Sequence, residues 1–188
     1  MQKKHIITIT GDPAAGKGTV TKLLQDELGY EIYRNGQYFR ELAKKSNMSV
    51  TEFNIHVQSH PEIDIEIERS AERYAKENDN LIVDARLGWY AVPNSFKVYL
   101  KVDIDVAASR AHCDTNECRK DTEMFDTIEE QKQDMLKRIA SENKRYMEVY
   151  GINKDDMKNY DLVIDTTDLT PLQVSNLIKK KYLEWLEI

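Results

Sequence analysis

The stretch Gly11-Asp12-Pro13-Ala14-Ala15-Gly16-Lys17-Gly18-Thr19 leaves this chain few folds to choose from. Before it runs Ile6-Ile7-Thr8-Ile9-Thr10, an apolar segment that reads as a buried strand. After it, Val20, Leu23, Leu24 and Leu28 recur at helical spacing. A glycine-rich turn between a strand and a helix is the setting of a phosphate-binding P-loop. Glycine lets successive backbone N–H groups curl round an anion without Cβ clashes, and the helix N-terminus adds positive potential. Lys17 contributes a mobile cation for the β- and γ-phosphates. Three of the chain's seven glycines fall within these nine residues, so the loop is no by-product of composition. The candidate phosphate contacts are Gly11, Ala14, Ala15, Gly16, Lys17, Gly18 and Thr19. The hydroxyl residue that commonly follows the lysine is displaced by one place, because Gly18 precedes Thr19.

The chain is long enough, at 188 residues, to close one domain with a sizeable core. A net charge of −6 argues against a general nucleic-acid binder, since no basic stripe is present. No apolar run approaches the length of a membrane span. With only Cys113 and Cys118, the composition suits a reducing compartment, so a cytoplasmic location is expected.

Further strands are expected at Glu31–Tyr33, Leu81–Asp84, Phe96–Leu100 and Leu162–Ile164. Helices are expected between them: Gln37–Ala43 with Asn35 at or near its cap, a short one opened by the Ser49-Val50-Thr51-Glu52 capping box, and one beginning at Pro61. Others cover Val106–Ala111, Thr127–Tyr150, and a last helix capped by Thr170-Pro171 that carries Leu172, Leu177, Ile178, Tyr182 and Trp185. Residues 112–125 are polar and aperiodic, which reads as a loop. Strands alternating with helices imply an α/β fold, with a mainly parallel sheet covered on both faces.

Asp84 ends an apolar strand, where a carboxylate lies near the phosphate loop and can hold Mg²⁺ directly or through water. Arg86, two residues on, is placed to clamp an anionic substrate. Arg138, Glu142 and Arg145 are spaced by four and three, on one face of the long helix beside the Met135/Ile139/Tyr146 stripe. Two arginines fixed by a glutamate suit phosphoryl transfer, because guanidinium groups match phosphate oxygens bidentately. The bland alternative is a solvated ion-pair ladder. Arg40, four residues after Gly36, can reach a second phosphate or lie idle on the surface. His112, Cys113 and Cys118 lack a fourth ligand for zinc.

Together these segments resemble the cytidylate kinases, especially the short form typical of archaea. Asn35-Gly36-Gln37-Tyr38-Phe39-Arg40 is similar to the family's Ser-Gly-x-x-(Tyr/Phe)-Arg, with Asn35 replacing the serine. Pro61-Glu62-Ile63-Asp64 and Asp84-Ala85-Arg86-Leu87-Gly88-Trp89 resemble further family segments, as do those around Lys144–Ile152 and Tyr160–Thr166. The resemblance implies a P-loop kinase fold with strand order 2-3-1-4-5, an acceptor-binding insert about 34–78 and a lid about 112–126. It implies ATP as donor, CMP or dCMP as acceptor, Mg²⁺ as cofactor, and action as a monomer without nucleic acid or membrane. On this reading Lys17, Asp84, Arg138 and Arg145 are catalytic, and Arg110 joins the loop in holding ATP. Asn35, Arg40, Asp64, Arg86, Arg138, Glu142 and Arg145 hold the acceptor, with Asp64 the guess for the cytosine amino group. Asp84 takes Mg²⁺ through water, with Thr19 a further candidate. Other readings are a kinase for UMP, AMP or a non-nucleotide alcohol, and a regulatory NTPase. Adenylate kinase is disfavoured, because Asp84-Ala85-Arg86-Leu87 stands where that family has Asp-Gly-Phe-Pro-Arg.

Overall fold

The first strand, β1 (Ile6–Gly11), becomes the middle of a five-stranded sheet because its residues are buried on both faces. A computed structural model describes residues 4–48, 52–53, 56–57, 59–113 and 125–187. The other strands are β2 (Glu31–Arg34), β3 (Leu81–Asp84), β4 (Phe96–Lys101) and β5 (Leu162–Asp165). They pair in parallel in the order β2-β3-β1-β4-β5, the order expected for a P-loop kinase.

The strands' period of two sorts the core into two layers. Ile7, Ile9, Ile82, Val98 and Leu100 pack against Val20 and Leu24 of α1 (Lys17–Leu28) and Val174, Ile178 and Tyr182 of α7 (Pro171–Leu186). Ile6, Leu81 and Val83 face the other way, against Ala71 and Ala75 of α3 (Pro61–Glu77). Thr8 and Thr10 are buried too, and each is satisfied: the Thr8 hydroxyl meets Ser95 Oγ at 3.0 Å, and Thr10 donates to the Ala85 carbonyl at 3.0 Å.

The residues beyond β2 form a small core of their own. Ala43 of α2 (Asn35–Lys45) meets Phe53 and Val57, with Phe39, Leu42, Met48 and Ile63 around them. The Ser49–Thr51 part of the expected capping box lies outside the described residues, as do 114–124 of the expected lid and Cys118 within it. Helix α4 (Gly88–Ala91) is a single turn that sequence periodicity cannot reveal. Helix α5 (Ile104–His112) begins two residues earlier than expected, because the Asp103 side chain accepts from the amides of Asp105 and Val106. Helix α6 (Ile128–Tyr150) starts from a Thr127/Glu130 capping box and ends at Gly151, whose φ of 67° only glycine adopts easily.

Leu172 and Leu177 of α7 are exposed, at 56% and 42%. The helix presents Val174, Ile178 and Tyr182, with Trp185 and Leu186 at its end, to the sheet, so Leu172 and Leu177 off that face stay in water.

Candidate active site

The loop after β1 is built by three residues with positive φ: Gly11 at 152°, Ala14 at 55° and Gly16 at 84°. Gly11 is forced by space as well as by conformation. A Cβ there would stand 2.3 Å from the Leu100 carbonyl oxygen on the neighbouring strand. Gly16 is the N-cap of α1, so the first free amides of that helix open into the loop. Gly18 and Thr19 are exposed beside it.

Asp12, an acid in an anion loop, is turned away from the anion. Its Oδ1 accepts from the Tyr99 hydroxyl at 2.6 Å and its Oδ2 from the Val102 amide at 3.0 Å. Lys17 Nζ donates to the Gly11 and Asp12 carbonyls at 2.8 and 2.6 Å. Burial lowers its pKa to about 8, against the opposing pull of Asp84. A phosphate arriving here gives the ammonium a better partner than two carbonyls. Ala15 is buried, and its carbonyl accepts from Thr166 Oγ1 at 3.3 Å. Arg110 donates to the Thr166 and Thr167 carbonyls at 2.9 and 3.0 Å, which ties α5 to the loop after β5.

Asp84 lies at the end of β3 in register with Ile9 of β1 and Arg34 of β2. Arg34, which the sequence reading did not single out, stands 3.8 Å from its carboxylate and also donates to Thr21 Oγ1. Among the described residues no three His, Cys, Asp or Glu side chains cluster as a metal site. The Asp84 carboxylate and the exposed Thr19 are oxygen donors of the kind that fit Mg²⁺, which usually keeps its waters and rides on substrate phosphates.

The arginines gather on the facing wall, paired differently from the expectation. Glu142 does hold two arginines, but they are Arg86, at 2.7 Å, and Arg138, at 3.2 Å. Arg145 sits 2.7 Å from Asp64 of α3 instead, an ion pair not aligned as a hydrogen bond, with its guanidinium 5.5 Å from the Tyr146 ring centre. Three residues of helix carry Arg145 roughly 60° away from Glu142 around the axis, toward α3. Asp64 therefore works here as the anchor of Arg145. Burial raises the pKa of Asp64, and Arg145 pulls it back only in part. Burial also opposes ionisation of Glu142, but Arg86 and Arg138 outweigh it and hold the carboxyl at about 2. Glu142 in turn pushes Arg86 up, so this pair stays charged at every working pH.

Asn35 is the first residue of α2, not its cap. Its buried Nδ2 donates to Glu68 Oε1 at 3.1 Å. Arg40 is exposed one turn later and folds back over Gly36. Glu68, a second residue missed in the sequence, is pushed up to about 7, chiefly by burial and then by Asp64. Its only linear clue is a position four residues after Asp64, on the same helical face.

Residues 6–168 match the cytidylate kinase-like family. The chain belongs to that family. Cytidylate kinase from Thermoplasma acidophilum is 34% identical over 183 residues, covering 93% of this chain and 90% of the relative. A second relative, the S-adenosylmethionine-dependent nucleotide dehydratase of Lacinutrix mariniflava, is 34% identical over 95% of this chain but only 36% of its own length. Shikimate kinase from Bacteroides thetaiotaomicron superposes with a TM-score of 0.63 over 97% of this chain, at 16% identity, a likeness of fold alone. The cytidylate kinase-like family thus accounts for nearly all of the chain, and the two walls just described are its candidate site.

Proposed function

We propose that the protein transfers the γ-phosphoryl group of ATP to the phosphate of CMP or dCMP, giving ADP and CDP or dCDP. The observation that carries this reading is the second set of anion-binding groups. Arg86, Arg138 and Arg145 are organised by Glu142 and Asp64, carboxylates outside the P-loop, with Arg86 and Glu142 within electrostatic reach of Lys17. One triphosphate bound to the loop and Lys17 leaves those arginines to a second phosphorylated ligand. The family membership and its cytidylate kinase relatives favour CMP as that ligand.

In the transfer, an oxygen of the acceptor phosphate bonds to the γ-phosphorus as the bond to the β,γ-bridging oxygen breaks, and ADP leaves. Lys17 and the loop amides hold the donor phosphates, with Ala14, Ala15 and Gly16 shaping the cradle and Arg110 on the donor side. Arg86, Arg138 and Arg145 steady charge on the moving group and the acceptor, while Arg40 grips the acceptor phosphate from α2. Asp84 and Thr19 are the residues that would hold Mg²⁺ arriving with the nucleotide, and the ion would supply neutralisation of charge on the donor phosphates. Keeping water out of the site during transfer would prevent hydrolysis of ATP. We place this activity in a cytoplasmic monomer; among the described residues no helix is long and apolar enough to cross a membrane.

The test is ADP release measured with CMP, dCMP, UMP, AMP, GMP and no acceptor. CMP or dCMP should accelerate release most. Equal turnover with and without acceptor overturns the kinase reading, and preference for AMP or UMP overturns only the cytidylate part.

A further inference from the structure

Besides Asp64 Oδ2 and Arg145 Nε, which meet as an ion pair, the buried atoms near the acceptor wall without a hydrogen-bond partner include Asn35 Oδ1, Glu68 Oε2 and the Tyr150 hydroxyl. Buried polar atoms are ordinarily satisfied, so a group of orphans in one region points to a ligand that completes them. The hydrogen bond from Asn35 Nδ2 to Glu68 Oε1 fixes which atoms remain. It orients the amide so that Asn35 Oδ1 is left as an acceptor, and it occupies Glu68 Oε1. Oε2 is then the carboxyl oxygen left to carry a proton or to accept one.

We propose that Asn35 and Glu68 form the base-reading pair of the acceptor site, matched to a base that presents a ring-nitrogen acceptor beside an exocyclic amino group, as N3 and the 4-amino group of cytosine do. This rests on the acceptor-site reading above and adds to it the residues that choose the base. Protonated Glu68 Oε2 donates to N3 while Asn35 Oδ1 accepts from the 4-amino group. Uracil inverts both: its N3–H would face the Oε2 proton and its O4 would face the Asn35 carbonyl. Adenine shows the same pattern at N1 and the 6-amino group on a longer ring system. The pair therefore separates amino from oxo bases, and the surrounding walls set size.

The surroundings of Glu68 agree with this. Asp64 lies one turn before it on α3, and its charge disfavours a second carboxylate. Arg86, Arg145 and the Asn35 amide favour the carboxylate but do not overcome burial, so the carboxyl is pushed up to about 7. Burial, and to a lesser degree the Glu68 charge, pushes the phenols of Tyr146 and Tyr150 up, so Glu68 lies within electrostatic reach of α6. The orphaned atoms have almost no exposed area, so a base reaches them only as the side chains over them move aside.

The experiment measures binding of CMP and UMP, and kcat/KM for each with ATP, at pH 6 and pH 8.5. Wild type should prefer CMP strongly at pH 6 and lose about tenfold of that preference by pH 8.5, as Glu68 ionises and its oxygen confronts N3. Glu68→Gln keeps a fixed donor in the same shape, so its CMP preference should hardly change with pH. Asn35→Ala and Glu68→Ala should lose tenfold or more of the CMP/UMP ratio in binding, mostly through weaker CMP binding. An unchanged ratio in both alanine variants overturns the base-reading assignment while leaving the kinase reading intact, as does a Glu68→Gln variant with the wild-type pH dependence. Wild type that binds neither CMP nor UMP overturns the acceptor-site reading itself.

Discussion

Glu142→Gln is the sharpest test of how the arginine wall is held. The substitution keeps the size and one hydrogen-bond acceptor but removes the charge between Arg86 and Arg138. Glu142 has only 12% of its side chain exposed, so solvent screens little of the interaction. A carboxyl at about 2 in the folded protein, against an ordinary 4.5, contributes about 3 kcal/mol at neutral pH. The sign follows from the depressed value. The contribution is complete above about pH 4.5, declines as pH falls toward 2 and is absent below that. Urea denaturation of wild type and variant at pH 7, 5, 4 and 3 should show a gap of about 3 kcal/mol at pH 7 and 5 that narrows at 4 and more at 3. Turnover should fall with it, because Arg86 and Arg138 lose their common anchor. A gap under about 1 kcal/mol at pH 7, the range of an exposed ion pair, would refute the reasoning. So would a gap that stays constant from pH 5 to 3.

Gly11→Ala should unfold at a markedly lower temperature, since its Cβ would press within 2.3 Å of the Leu100 carbonyl; a melting temperature within two or three degrees of wild type would contradict the packing described. Lys17→Ala should cut acceptor-dependent ADP release by about 10² or more, whereas Arg40→Ala should chiefly raise the CMP KM, and normal acceptor affinity in the latter would remove Arg40 from the site. Tyr99→Phe removes the hydroxyl shared by Asp12, at 2.6 Å, and Asp155, at 3.2 Å. It should cost about 1.5–3 kcal/mol in urea denaturation, as hydrogen bonds to charged groups do. Because burial and both acids push that phenol far above its usual range, the loss should be the same at pH 6 and pH 9, and a loss that vanishes at pH 9 would count against the bond.

The phosphate loop of this protein is written in consecutive residues. A P-loop works through backbone amides, three positive-φ positions and one lysine, all within nine residues, so its chemistry survives translation into a linear motif. The parallel sheet follows from the same local logic, because strand and helix periods alternate along the chain and right-handed crossovers leave few topologies. The arginine wall was only half legible. Spacing put Arg138, Glu142 and Arg145 on one helical face, but which carboxylate meets which arginine depends on how α6 lies against α3 and the end of β3. That packing gave Arg86 to Glu142 and Arg145 to Asp64. Glu68 and Arg34 were invisible, since an acid within an amphipathic helix and a basic residue ending a strand look like ordinary surface positions until burial decides otherwise. Sequence thus determined the sheet and the phosphate loop, which local backbone geometry builds. Only the tertiary structure decided the arginine wall, because it is assembled from side chains separated by tens of residues, with burial setting their charge.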